Sequence, residues 1–278
     1  MDRLKALACA ALLASSLPAS ATLLTEWGTI ALTGSAACSA PCDPLAFALG
    51  LTFGDVQGGD SVLVAESASN PADPNGHAHA RAEAAGGLAI PLLKAEAFGN
   101  LAGGTIALAV GAQGYTYAGA SGAVAVDVHL DGSVITDGSG SGTTGLSVFA
   151  ALFRVTAGFL LSDASMPQSP LVTLLTLLTV PAISSTSIEV STDTPIVSAD
   201  RTLTIDNLAD GDQFYLVAAL AASAAGPNSA ASAFHTLTLQ FNTGGAHLVA
   251  APVPLPASVE LFGCAAAGLV IVRRRARS

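Results

Sequence analysis

Few side chains in this sequence combine a reactive type with a spacing that chemistry can use. Cys38 and Cys42 flank Ser39-Ala40-Pro41. In an oxidising compartment that spacing favours a small loop-closing disulfide, because two thiolates alone supply too few soft ligands for zinc. His77 and His79 stand two apart, so a strand would project both from one face, with Glu83 the nearest candidate for a third ligand to a transition metal. The plainer reading is a pair of solvated histidines on a polar strand face. Asp127, Asp131 and Asp137 gather around one expected loop, and Asp206, Asp210 and Asp212 around another. Calcium takes about six to eight oxygen ligands. Ordinary Asp-Gly turn chemistry accounts for these aspartates without an ion, so no cofactor is implied and structural calcium is kept as the alternative.

Hydrolytic chemistry has no local signature. There is no Gly-x-Ser-x-Gly elbow and no His-Glu-x-x-His pair, and His129 and His235 sit on polar strand faces without a recognisable nucleophile. We therefore expect no catalytic residue, no resident metal and no enzyme. Trp27, Tyr115, Tyr117 and Tyr215 are the whole supply of Trp and Tyr. Tyr115 and Tyr117 would share a strand face; side-by-side exposure would make a platform for a sugar ring, and packing in the core or at an edge is the plainer outcome.

Strands have to position these residues. Val124, Val126, Val128 and Leu130 alternate with Ala123, Ala125, Asp127 and His129, and Asp131-Gly132 reads as the closing turn. Leu237, Leu239 and Phe241 alternate with Thr236, Thr238 and Gln240; this segment is expected to form a hairpin with residues 213–219 across Gly226-Pro227-Asn228. Between residues 77 and 101, Ala78, Ala80, Ala82 and Ala84 alternate with His77, His79, Arg81 and Glu83, which favours strands over an alanine-rich helix. Further strands are expected over residues 23–32, 45–53, 61–68, 105–112, 146–156, 171–180, 187–191 and 202–205. Such a series of short strands predicts an all-β fold, an antiparallel β-sandwich of jelly-roll-like type spanning residues 22–252. The glycine- and serine-rich run 137–145 reads as a long loop within that domain.

Composition limits the partners. Of 278 residues, 51% are hydrophobic but only 11% are charged, well below the quarter usual for a cytoplasmic enzyme. From Thr22 to Leu255 there are four basic residues, Arg81, Lys94, Arg154 and Arg201, against 18 acidic ones, a formal charge of −14. Phosphate backbones would be repelled, so nucleic acid is excluded as a partner.

The flanking segments read as addresses. A basic start, the apolar run from Ala6 to Leu17 and the small residues Ala19 and Ala21 fit a secretory signal peptide over residues 1–21, cut after Ala21. On the other side, Val253-Pro254-Leu255-Pro256-Ala257 precedes the apolar Leu261-Phe262-Gly263-Cys264-Ala265-Ala266-Ala267-Gly268-Leu269-Val270-Ile271-Val272, followed by Arg273, Arg274, Arg275 and Arg277. As a helix, the apolar stretch would be about 18 Å long, short for a permanent span and suited to a transient transmembrane one. The arginines would stay cytoplasmic and leave the body outside.

Motif, short helix and arginine cluster together resemble the PEP-CTERM sorting signal in its Val-Pro-Leu-Pro-Ala variant, over residues 253–278. That resemblance implies recognition and processing near the motif by a membrane-embedded exosortase, then delivery to the cell surface or extracellular matrix of a Gram-negative bacterium. The expected role is structural or adhesive, linked to exopolysaccharide or biofilm. The alternatives are a glycan-binding module carried by Tyr115 and Tyr117, and a polysaccharide hydrolase with two carboxylates facing one cleft.

Overall fold

A computed structural model describes residues 27–37, 52–60, 64–69, 76–83, 92–100, 103–136, 144–154, 181–191 and 193–250. The expectations for Ala19 and Ala21, for Cys38 and Cys42, for Asp137, for the strand at 171–180 and for residues 253–278 lie outside these described residues.

The described chain is built of strands: β1 (Trp27–Ala37), β2 (Thr52–Asp60), β3 (Val64–Ala68), β4 (Gly76–Glu83), β5 (Leu92–Gly99), β6 (Gly103–Tyr117), β7 (Gly122–Ile135), β8 (Gly145–Arg154), β9 (Ser184–Val190), β10 (Thr194–Leu208), β11 (Gln213–Ala225), β12 (Ala230–Thr243) and β13 (Leu248–Ala250). They form two antiparallel sheets. The first runs β2-β1-β6-β11-β8-β9, with β13 also pairing with β6; the second runs β10-β7-β12-β5-β4-β3. One apolar core lies between them, drawing on Ala107, Phe214 and Leu216 from the first sheet and Val126, Leu130 and Leu203 from the second. This is the expected all-β sandwich. Val134 and Leu146, on either side of the 137–143 run, belong to the same core.

The period-two pattern tracks burial along β4, β5 and β7. In β4 the alanines at 78, 80 and 82 point inward, between the outward His77, His79, Arg81 and Glu83, so this region forms strands rather than a helix. In β7, Val124, Val126, Val128 and Leu130 are fully buried. Strand β11 breaks the alternation, with Phe214, Tyr215, Leu216, Val217 and Ala218 all buried. As an inner strand of the first sheet it is apolar on both faces: Phe214 and Leu216 face the core, while Tyr215 and Val217 join a second cluster with Ile30, Val110, Ala151 and Phe153.

The sheets come close together on the β3–β5 side. The Thr105 hydroxyl of β6 reaches the carbonyls of His77 and Phe98 in the opposite sheet, at 3.0 and 3.1 Å. Thr33 of β1 and Ser67 of β3 share a buried hydrogen bond of 2.9 Å across the same gap. Face-to-face sheets ordinarily stand about 10 Å apart, and side chains this short span the gap only where it is narrower. Alanine makes that possible: Ala80, Ala82, Ala95, Ala97, Ala107 and Ala109 have no exposed surface.

Three sequence expectations are corrected. Asp131-Gly132 is not a turn, because β7 continues to Ile135 and Gly132 pairs with Val197 of β10. A Cβ at Gly132 would lie 2.6 Å from the Ser232 carbonyl and 2.7 Å from the Leu146 side chain, so the glycine serves close approach within a strand. The expected hairpin of residues 213–219 with the 234–241 segment does not form. Strand β11 pairs with β6 and β8, whereas β12 pairs with β5 and β7. The connection at Gly226-Pro227-Asn228 therefore arches between sheets, which sets the apolar faces of both strands against one core. Thirdly, β2 runs to Asp60 through Gly54, Gly58 and Gly59; strand pairing with β1 holds this glycine-rich segment, which no side-chain periodicity announces.

Candidate functional site

The polar side chains singled out above fall mainly on the outward face of the second sheet. On β3 to β5, the backbone pairing sets Glu66 opposite Arg81 and His79 opposite Glu96. His79 Nε2 lies 2.8 Å from Glu66 Oε1, and Nδ1 lies 3.7 Å from Glu96 Oε1. Arg81 bridges Glu66 at 3.2 Å and Glu83 at 3.1 Å. His77 and His79 do share a face, but they are engaged separately: His77 stacks on Phe98 with ring centroids 4.3 Å apart. Glu83 bonds Arg81, so the set His77, His79 and Glu83 is not assembled around one point. Among the described residues no group of three or more His, Cys, Asp or Glu side chains is arranged to hold a metal ion.

A second cluster forms where β7 meets β10. His129 lies opposite Asp200 in the ladder, with Nδ1 2.5 Å from Asp200 Oδ1 and Nε2 2.9 Å from Asp131 Oδ2. The hydrogen bond to Asp200, then that to Asp131, holds the imidazole proton above the ordinary pKa of 6.5. With both ring nitrogens occupied by carboxylates, neither is free to accept a substrate proton or ligate a metal. Asp127, on the same face, accepts a 2.9 Å bond from the Thr202 hydroxyl. Asp127 stands on β7 as its alternation with Val126 and Val128 implies, and Asp131 stands on the same strand instead of in the turn expected for it. Asp131 was within reach of sequence reasoning, two residues from His129 on one face; Asp200 was not, because only the β7–β10 register brings it there.

The other acidic group fastens a turn. Asp212 Oδ2 accepts from the Ala209 N–H at 3.0 Å and lies 3.5 Å from Arg154, while Asp210 Oδ1 accepts from the Gly119 N–H at 3.1 Å. This is side-chain-to-backbone turn chemistry. Asp206 lies in β10, away from that turn.

Tyr115 and Tyr117 share a face, and that face is the core. They are 1% and 3% exposed, so they form no platform for a ligand. Tyr115 packs edge-on against Phe241 at 5.1 Å and against Phe214 at 5.7 Å. Burial pushes its phenol well above 10, which keeps it protonated and unfit as a base. The Tyr117 hydroxyl donates to the Ala120 carbonyl at 2.9 Å. His247 belongs to the folded body: its turn, Gly245–His247, leads into β13, which pairs with β6.

No family model matches this chain, and no curated protein matches it either. No described residue joins a nucleophile to a base or a pair of carboxylates to an open cleft, and the His129 cluster is closed on itself. Among the described residues the second sheet presents a polar, mainly acidic outward face.

Proposed function

We propose that this chain is an exported, exosortase-processed protein of the bacterial surface or extracellular matrix, with a structural or adhesive role and no catalysis. The observation that carries the proposal is the combination of address segments in the sequence: Ala19-Ser20-Ala21 after an apolar run, and Val253-Pro254-Leu255-Pro256-Ala257 ahead of a short apolar stretch and four arginines. The all-β body suits the role, since a sandwich of small inward side chains can be stable with few charges. The acidic balance from Thr22 to Leu255 adds solubility outside the cell. In this reading residues 1–21 are removed on export, residues 261–272 hold the chain transiently in the membrane, and Pro254 to Ala257 present the cleavage region to the exosortase. Cys38 and Cys42 meet an oxidising compartment, where they form a disulfide. We class the sandwich as jelly-roll-like because β5 to β8 and β9 to β12 alternate between the two sheets.

Sorting is tested by deleting residues 253–278 and, separately, by replacing Pro256 with alanine. The deletion is expected to release or misdirect the protein, and Pro256→Ala to leave the chain at the membrane with residues 253–278 uncut. Unchanged surface location and unchanged mature mass in both variants would refute the proposal.

A further inference from the structure

At one end of the sandwich the end of β5 and the β11–β12 connection meet at an open cleft of about 440 Å³. Its size falls within the roughly 300–1,000 Å³ typical of small-molecule sites. The walls include Phe98, Asn100, Pro227, Asn228 and Ser229, and among the described residues none that lines the cleft is charged. On an acidic surface, a neutral cleft has nothing to attract an anion and no carboxylate to hold a cation.

The frame is firmly tied. The Gly99 N–H donates to the Ser229 carbonyl at 2.9 Å, the Gly226 N–H to the Gly103 carbonyl at 3.1 Å, and the Ser229 hydroxyl to the Ala225 carbonyl at 2.8 Å. Close approach fixes the seam as well, since a Cβ at Gly99 would lie 2.5 Å from the Gly226 carbonyl oxygen. Asn228 holds a left-handed φ of 60°, which its short amide side chain tolerates. Phe98 is half-buried, and the His77 ring stacked on it at an interplanar angle of 17° fixes its position. Asn100 and Asn228 are exposed. The cleft thus combines an aromatic ring and a proline with the Asn228 amide, which carries both a donor and an acceptor.

We propose that this cleft binds a neutral saccharide, with Phe98 and Pro227 against the C–H face of a sugar ring and the exposed Asn228 amide hydrogen-bonding its hydroxyls. An aromatic face matches the apolar side of a pyranose, and an amide matches a pair of neighbouring hydroxyls as donor and acceptor together. That the natural ligand is a matrix polysaccharide rests on the function proposed above; the chemistry of the cleft does not. Tyr115 and Tyr117 pack in the core, the plainer of the two outcomes the sequence offers, and the cleft places saccharide recognition elsewhere, between Phe98 and the Gly226-Pro227-Asn228 connection.

The test uses the full chain on an array of neutral gluco-, manno- and galacto-oligosaccharides, with alginate and hyaluronate oligosaccharides as charged controls. Asn228→Gly keeps the left-handed backbone and removes the amide; Phe98→Leu keeps an apolar side chain and removes the ring. Binding is expected for neutral probes only, weakened about tenfold or more by either substitution, and unchanged by Ile196→Ser on β10. The unfolding midpoint of Asn228→Gly should match that of the unmodified chain. Binding to charged probes alone, to no probe, or with equal strength by both variants would overturn the cleft. Fractionation separates the two proposals: unmodified protein absent from the matrix, with cleft-dependent sugar binding intact, would refute the matrix role and leave the saccharide site standing.

Discussion

Replacing Ala80 with leucine tests the close sheet spacing on the β3–β5 side. Ala80 lies in β4, has no exposed surface and points into the gap that Thr105 spans with hydrogen bonds of 3.0 and 3.1 Å. Leucine adds an isopropyl group where the opposing β6 residues are already Ala107 and Ala109, both fully buried. Burying those carbons elsewhere would contribute about 0.8 kcal/mol per methylene. In a gap this narrow the sheets must instead separate, breaking the Thr105 and Thr33–Ser67 bonds or forcing strained rotamers. A net loss of about 1–3 kcal/mol follows, or a lowering of the melting temperature by about 2–12 °C for a domain of this size. Urea denaturation of the paired variants Ala80→Leu and Leu130→Ala measures it. Leu130→Ala, fully buried in the same core, should cost about 2–5 kcal/mol through cavity formation, so enlarging one side chain and shrinking another should both destabilise, with m unchanged. If Ala80→Leu is neutral or stabilising, a void lies between the sheets there and the close-spacing argument is wrong.

The same gap predicts that Thr105→Val, nearly isosteric, loses about 1–3 kcal/mol because two backbone carbonyls lose their shared donor, whereas Thr105→Ser retains most of the stability; equal midpoints for both variants would show that the hydroxyl carries nothing. Gly76 has φ of 124°, and a Cβ there would sit 1.9 Å from the Phe98 carbonyl oxygen, while Gly211 has φ of 85° with open space around it. Gly76→Ala should therefore destabilise well beyond the roughly 1–2 kcal/mol expected from backbone conformation alone at Gly211→Ala, and thermal melts of the two should rank them in that order. For His129 the folded state favours the charged imidazole, so its contribution to stability is complete below the ordinary value of 6.5 and is lost as pH rises through the higher folded value. An NMR titration should find its midpoint above 6.5 and find it lowered in Asp200→Asn; a midpoint at or below 6.5 in the unmodified chain contradicts the geometry. Asp127, Asp131 and Arg201 are the other charged groups on β7 and β10 around it, and the exposed setting limits the size of the effect.

Much of the fold was legible where one strand face is buried and the other wet. Val124 to Leu130 and Ala78 to Ala82 announce β7 and β4 because alternation along the chain is alternation of environment. Legibility fails where that condition fails. Strand β11 is buried on both faces and shows no period; β2 is held by backbone pairing and contains glycines in place of a pattern; Gly132 looks like a turn and is a point of contact between strands. At the sites, the sequence showed that His77 and His79, and Tyr115 and Tyr117, share faces. It could not show which of those faces lay in the core.

What the sequence determined by itself is local: strand-forming periodicity, the acidic balance, and the segments that read as export and sorting addresses, each carried by contiguous residues. What the tertiary structure decided is pairing across distance. Register placed Asp200 on His129 and Glu66 on Arg81, and the arch at Gly226 sent β12 to the opposite sheet. Meeting of the end of β5 and the β11–β12 connection made a cleft from Phe98 and Asn228, residues 130 positions apart. The physical reason is that side-chain type and spacing fix what a strand can offer to either face, while burial and register, which arise only when all the strands have packed, fix what each face meets.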